Sequence, residues 1–155
     1  MQKRTLAMCA MILMVSLCLS GCSSEKVSEK EALSEQLVEL YSSIDAYQTI
    51  QNKELEFHSQ SLEAVNEYGV EFEKELSNII VLVQNIITDT DAVDVEANRY
   101  LDQLRLFWFE VGSLRSAYSW EDVNSAMAKM NELVISFNDA EFRLISEMEK
   151  ISEGN

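Results

Sequence analysis

Four acidic residues in a short stretch, Asp89, Asp91, Asp94 and Glu96, are the first candidates for chemistry in this 155-residue chain. Several carboxylate oxygens close together are the ligands that calcium prefers. The stretch differs from a helix–loop–helix calcium site, because no glycine stands at its sixth position and the last acid falls at the wrong spacing. Asp91 and Asp94 also suit the start of a helix, where acids are favoured. We therefore predict no metal site, and we keep a cation at the Asp89–Glu96 loop as the alternative.

Two polar residues interrupt rows of apolar ones. His58 is the only histidine, which is too few for a zinc site with three or four ligands. Glu141 is the single charge on an apolar row, so we expect it to meet a cation or to lie near the surface. Arg99, Arg105 and Arg115 are the candidate cations, together with His58. On this basis Glu141→Leu should be tolerated or stabilising, and Glu141→Lys should destabilise the fold.

Catalysis has little support in the sequence. There is no glycine-rich phosphate loop and no serine in a nucleophile-elbow context. A serine triad would require His58, and nothing marks its partners. We therefore predict that the protein is not an enzyme and needs no cofactor.

Three adjacent aromatic residues, Phe107, Trp108 and Phe109, cannot all face one side of a helix. Phe107 and Trp108 fit the core-facing side, whereas Phe109 shares another side with Leu106. Since aromatic side chains anchor many interfaces, Leu106 and Phe109 are a candidate partner patch. The alternative is that this helix contacts two neighbours within the fold. A second apolar side in the last helix, at Ile135, Phe142 and Ile145, similarly suggests burial on two sides.

The elements that carry these residues are helices, because apolar residues recur at steps of three and four and no proline occurs anywhere. The first row comprises Leu33, Leu37, Leu40, Ile44, Tyr47, Leu55, His58, Leu62, Val65, Phe72, Leu76, Ile79, Val83 and Ile86. The next row comprises Ala97, Tyr100, Leu101, Leu104, Phe107, Trp108, Val111, Leu114 and Tyr118. The last comprises Trp120, Val123, Met127, Met130, Val134, Phe137, Glu141, Leu144, Met148 and Ile151.

Signals for helix ends separate these rows. Residues 88–91 break the pattern and indicate a loop, Ser119 with Asp122 opens the last helix, and Gly154 follows its end. One unbroken helix over residues 28–87 would be about 90 Å long, roughly twice its partners. The chain is therefore predicted to be an all-α antiparallel bundle of four helices, with the first segment folding back either at 58–61 or after Gly69. Three long helices, paired in a homodimer, are the alternative.

Composition narrows the class of partner. The net charge is −15, and all 27 acidic residues follow position 21 together with 10 of the 12 basic ones. Nucleic-acid binding needs clustered lysine and arginine, so it is not expected. The acidic balance favours cations or basic partners, or simply keeps the surface soluble.

The amino terminus has the layout of an export signal. Lys3 and Arg4 precede an apolar run of 14 residues, 6–19, which is shorter than the ~20 residues of a spanning helix. The run ends in Leu19-Ser20-Gly21-Cys22, which resembles the lipobox of bacterial lipoproteins. That resemblance implies cleavage before Cys22 and acylation of Cys22, with chains such as palmitate anchoring the protein to the outer face of the cell membrane. Two acyl chains hold a protein stably.

Under this interpretation residues 1–21 are the signal peptide, 22–28 a lipidated polar tether and 29–152 the bundle. The other cysteines, Cys9 and Cys18, leave with the signal, so the mature chain has no disulfide.

Residues 138–142, Asn-Asp-Ala-Glu-Phe, are similar to the short motif that names the NDxxF-motif lipoproteins. That group has no established activity, so the similarity implies no chemistry. The sequence thus predicts a cell-envelope lipoprotein acting as a protein-interaction or accessory module. The alternative is a receptor for a small ligand or cation, with a cavity lined by Tyr100, Trp108 or Trp120.

Overall fold

The described part of the chain forms four α-helices packed against one another. The computed structural model describes residues 21–52, 61–86 and 88–154, with side chains from Lys30 onward. The helices are α1 (Gly21–Gln51), α2 (Leu62–Gln84), α3 (Asp91–Arg115) and α4 (Trp120–Glu153). None of the four has the length and apolarity needed to cross a membrane.

Contacts between α3 and α4 show that neighbouring helices are antiparallel. The Ser136 hydroxyl donates to Gln103 Oε1 at 2.8 Å, and one step further along, Lys129 Nζ lies 3.5 Å from Glu110. The partner on α4 moves back along the chain as the residue on α3 moves forward, which defines an antiparallel pair.

The other pairs of neighbouring helices are also antiparallel, and the four helices form a closed ring. Helix α1 packs on α2, α2 on α3, α3 on α4, and α4 returns to α1. At this last junction the Tyr41 hydroxyl donates to Glu149 at 2.7 Å. The predicted four-helix antiparallel bundle is therefore confirmed, and the alternative with an unbroken first helix is wrong.

The helix ends lie close to their sequence signals. Ser119 and Asp122 form the reciprocal capping box, in which each side chain accepts from the other's backbone N–H. Gly154 ends α4 in the left-handed conformation, with φ at 79°. The N-cap of α2 is Ser61, whose hydroxyl accepts from the Ala64 N–H at 3.3 Å. Helix α2 therefore begins at the end of the predicted 58–61 segment and not after Gly69.

Gly69, the other candidate for the fold-back, is buried in the middle of α2. A Cβ atom at this position would lie 2.7 Å from the backbone nitrogen of Arg115 and 2.9 Å from its Cα. The glycine therefore allows α2 and α3 to approach closely where they meet. A packing requirement, and not a helix end, explains this residue.

An aromatic cluster fills the centre of the bundle, with one or two rings from each helix. Phe137 of α4 lies 5.0 Å from Phe107 of α3 between ring centroids, 5.4 Å from Tyr100 and 5.6 Å from Tyr47 of α1. Phe72 of α2 completes the cluster, 5.2 Å from Tyr47. Tilted and edge-on pairs at these distances are the favoured aromatic geometries. The centre is packed with side chains from all four helices.

Candidate functional site

A polar contact at the edge of the core joins α3 to α4. The Tyr100 hydroxyl donates a hydrogen bond of 2.8 Å to Glu141 Oε2. Tyr100 is completely buried, and Glu141 is half-buried at the edge of the core. The hydrogen bond to Glu141 therefore comes from a neutral phenol and not from one of the three predicted arginines.

The three candidate arginines lie elsewhere because they occupy other sides of α3 or its end. Each forms an ion pair with another carboxylate: Arg99 with Glu96 at 3.1 Å, Arg105 with Asp102 at 3.4 Å, and Arg115 with Glu73 at 2.8 Å. Tyr100, next to Arg99 in sequence, is the residue that faces the core. None of the three arginines pairs with Glu141, which lies half-buried at the edge of the core, close to the surface position that was the other expectation for it.

Burial raises the pKa of Glu141 above its usual range, and the hydrogen bond from Tyr100 offsets part of that rise. Burial also raises the pKa of Tyr100 well above its ordinary value, with a further contribution from the Glu141 charge. Tyr100 therefore stays a neutral donor at physiological pH. The hydrogen bond between Tyr100 and Glu141 can position α3 against α4. A raised pKa does not make the Tyr100 hydroxyl a nucleophile.

The acidic stretch does not assemble into a cation site. Asp91 and Asp94 lie exposed in the first turn of α3, where their charge favours the helix start. Asp89 is also exposed, and Glu96 is paired with Arg99. Among residues 21–52, 61–86 and 88–154, no three histidine, cysteine or acidic side chains are placed to hold a metal ion.

The predicted partner patch is open to solvent. Leu106 is 51% exposed and Phe109 is 65% exposed, so α3 does not bury them against a second neighbour in the bundle. Phe107 beside them is buried in the aromatic cluster. Trp108 is less buried than predicted, because it lies at the α2 edge and its indole N–H donates to Ser77 Oγ at 3.1 Å.

The outer side of α4 also differs from expectation. Ile135 is 79% exposed and Phe142 is 70% exposed, whereas Ile145 packs against the core. Burial on two sides is therefore wrong for Ile135 and Phe142. Of the motif residues, Asn138 and Phe142 share the exposed side, and Asp139 accepts from Arg143 Nε at 2.8 Å.

A cleft that the sequence did not indicate lies beside the turn between α3 and α4. Its volume is about 270 Å³. The polar side chains that line it include Glu110, Ser113, Asp122, Ser125 and Lys129. It forms only when the end of α3 and the start of α4 meet, so no local pattern could have revealed it.

The cavity predicted beside Tyr100, Trp108 or Trp120 is not this cleft. Tyr100 is packed within the core, and Trp120 is partly exposed at the start of α4. Neither tryptophan lines the cleft at the α3–α4 turn.

Two predicted residues lie beyond the described side chains. Cys22 belongs to α1, where its backbone is described and its side chain is not. His58 lies outside the described residues, as do the first two residues of the lipobox. The domain limits at 21 and 28 also stay predictions, although the backbone of residues 22–28 is helical.

Comparisons with models of known protein families, with curated proteins and with solved structures gave no match.

Proposed function

We propose that this protein is a lipid-anchored lipoprotein of the cell envelope whose bundle binds another protein through Leu106 and Phe109 on α3. The observation that carries the interaction is the exposure of these two large apolar side chains, at 51% and 65%, one turn apart on the same helix. Aromatic residues held on a rigid helix anchor interfaces at a small cost in side-chain entropy.

The surroundings of the two residues fit an interface with a polar rim. Asp102 lies one turn before Leu106, and its carboxylate pairs with Arg105 at 3.4 Å. Charged groups around an apolar centre are typical of protein interfaces. Because the chain carries a net charge of −15, the matching partner surface is neutral or basic around an apolar pocket.

The anchor rests on Leu19-Ser20-Gly21-Cys22. Its test is the change Cys22→Ala, followed by fractionation of cells and measurement of palmitate incorporation. We expect the variant to lose the label and to leave the membrane fraction. Cys18→Ala, a matched change inside the signal, should leave both unchanged. A Cys22→Ala protein that still sediments with membranes would refute the anchor.

The interface is tested by photo-crosslinking in intact cells, with a photoreactive amino acid at Phe109. Val81 on α2 is the matched control, because it is also apolar and 54% exposed. We expect one discrete adduct at Phe109, reproduced at Leu106 and absent at Val81. The same adducts at all three positions would contradict a specific interface on α3.

A second candidate function is the binding of a small polar ligand, favoured by the cleft at the α3–α4 turn. Hydroxyls, carboxylates and the Lys129 ammonium could hold a zwitterionic or amino-sugar group there. Melting curves with millimolar serine or glucosamine test this, since a bound ligand raises the melting temperature. Ser125→Leu should abolish the shift, and no shift with either compound would reject these ligand classes.

A further inference from the structure

We propose that α4 carries a self-association surface, through which two copies of the protein pair antiparallel about a two-fold axis at Ile135. The surface is the outer stripe of α4, defined as Asn124, Ala128, Asn131, Ile135, Asn138 and Phe142. It is distinct from the Leu106–Phe109 patch on α3, so the two interactions are separable by experiment.

The outer stripe forms one continuous face. Its residues follow one another at steps of four, three, four, three and four, which places them on one side of a helix. All six are exposed, on the side of α4 opposite the core residues Phe137 and Leu144. The spacing is that of a helix-pairing seam, and the bundle itself does not use it.

The stripe is free of charge in a strongly acidic protein. None of its six residues is ionisable. Exposed acids lie on every helix: for example Glu31, Glu35 and Asp45 on α1, Glu63, Glu67 and Glu71 on α2, Asp91, Asp94 and Asp102 on α3, and Glu121, Glu132 and Asp139 beside the stripe on α4. Copies with a net charge of −15 repel one another, and the repulsion is weakest where two uncharged faces meet.

Side-chain sizes along the stripe match in the antiparallel arrangement. With the axis at Ile135, Phe142 of one copy lies opposite Ala128 of the other, because both are seven residues from the axis. The large ring therefore meets the smallest side chain of the stripe. Asn131 and Asn138, four and three residues from the axis, lie near each other across it, where two amides can exchange hydrogen bonds. In such an isologous contact the same surface of each copy is used, so the assembly stops at a dimer.

A parallel pair would match sizes badly. Phe142 would then face Phe142 at one end, and Ala128 would face Ala128 at the other. The Phe142 contact would be crowded and the Ala128 contact would leave a gap, and both make the packing less favourable. The order of residues along the stripe therefore selects the antiparallel pair.

One flank of the stripe limits the strength of the pair. Glu132 and Asp139 are exposed along this flank, and the antiparallel arrangement brings Glu132 of one copy near Asp139 of the other. Arg143 partly neutralises Asp139 through their 2.8 Å contact. The remaining repulsion is screened by salt, so the pair should strengthen as ionic strength rises.

The size of the stripe also points to a weak pair. From Asn124 to Phe142 the helix rises about 27 Å, and a helix is roughly 10 Å wide, which gives roughly 300 Å² for each copy. A stable interface buries about 800 Å² on each side. The pair is therefore best detected by trapping it covalently in the cell.

The test places single cysteines in the full chain and treats intact cells with a short bis-maleimide crosslinker. Ile135→Cys puts two thiols at the axis, so we expect a homodimer adduct. Ala128→Cys and Phe142→Cys each put the thiols about 21 Å apart in the antiparallel pair, so neither should crosslink to itself. Val81→Cys, at an exposed apolar position on α2 outside both proposed surfaces, is the control for random collision, and the unmodified chain gives the background.

A homodimer adduct at Ile135→Cys that exceeds both the unmodified chain and Val81→Cys supports the surface. Equal adducts at 135 and 81, or none above background at 135, would overturn it. Stronger adducts at 128 or 142 than at 135 would overturn the antiparallel arrangement. A Cys22→Ala protein that still sediments with membranes would refute the anchor alone, so the two proposals fail in different experiments.

A charge change provides a second readout. In the Ile135→Cys background, Glu132→Lys replaces the repulsion from Asp139 of the second copy by attraction, so the adduct should increase two- to five-fold. Glu67→Lys on α2 makes the same change in net charge away from the stripe and should have a smaller effect. Equal increases for both variants would show that net charge alone governs the association.

Discussion

The two sides of α4 have the same spacing of residues and opposite environments. The inner side, with Val123, Met130, Phe137, Leu144 and Met148, is buried in the bundle. The outer stripe repeats at the same three- and four-residue steps and is exposed along its length. The difference lies in composition, because every second residue of the outer stripe is asparagine. Spacing identifies a helical face, and the polarity of the alternate positions decides whether that face joins the core.

The comparison is tested most strongly by shortening one phenylalanine on each side. Phe137→Ala removes a ring that contacts three aromatic neighbours, and should lower the free energy of unfolding by about 3–5 kcal/mol. Phe142→Ala removes an exposed ring of the same size and should change it by less than about 0.5 kcal/mol. Chemical denaturation of both variants measures the difference. Similar losses would mean that the outer side is also packed within the monomer.

Two glycines extend the comparison to α2 and α3. Gly69→Ala would push a methyl group against the Arg115 backbone and should destabilise the bundle by about 1–3 kcal/mol. Gly112→Ala, inside α3, meets no atom within 4 Å and should stabilise the helix by about 0.5–1 kcal/mol. Thermal and denaturant unfolding of both variants checks the signs. A neutral Gly69→Ala would show that α2 and α3 can separate freely at this point.

The polar pair at the edge of the core should give a smaller effect. The contact with Tyr100 changes what is expected of Glu141→Leu, because that change leaves a buried hydroxyl without its acceptor. We now expect a loss of about 1–2 kcal/mol. Adding Tyr100→Phe to Glu141→Leu should recover most of it, since both polar groups are then gone. If the double variant is no more stable than Glu141→Leu, the hydrogen bond does not explain the loss.

The smallest effect is a dependence on pH. Because burial raises the pKa of Glu141 in the folded protein, the folded state binds more protons than the unfolded state between the two pKa values. The free energy of unfolding contributed by this group therefore falls as pH rises through that window. Glu141→Gln removes the titration and can still accept from Tyr100.

Melting temperatures at several pH values measure this dependence. The glutamine variant should be more stable than the natural protein at pH 7, and the advantage should shrink as pH falls into the range where Glu141 becomes protonated. An advantage that stays constant with pH would assign the effect to something other than ionisation.

Most of the core could be predicted from sequence because helical spacing determines which side chains share a face. The residues that were predicted wrongly lie at the ends of helices or at the edge of a row. Tyr118 is exposed because α3 has already ended at Arg115, and Trp120 is only the first residue of α4. Trp108 lies at the edge of its row and contacts α2 through its N–H.

The contacts between helices were harder to predict than the helices. The hydrogen bond from Tyr100 to Glu141 depends on how far α3 is shifted along α4, which no pattern within one helix encodes. The close approach at Gly69 and the cleft at the α3–α4 turn likewise depend on two segments meeting. The Leu106–Phe109 side could be identified, but whether another helix covered it required the assembled bundle.

Lys30 of α1 and Gly154 at the end of α4 lie at the same end of the bundle, where a Cβ atom on Gly154 would lie 3.1 Å from Lys30 Nζ. A reporter fused after Asn155 would therefore begin beside the start of the bundle and crowd whatever is attached there. The turn at residues 116–119, at the far end, is the better position for an inserted epitope. A redesigned chain could also join Gly154 to Lys30 with a short linker and open at that turn.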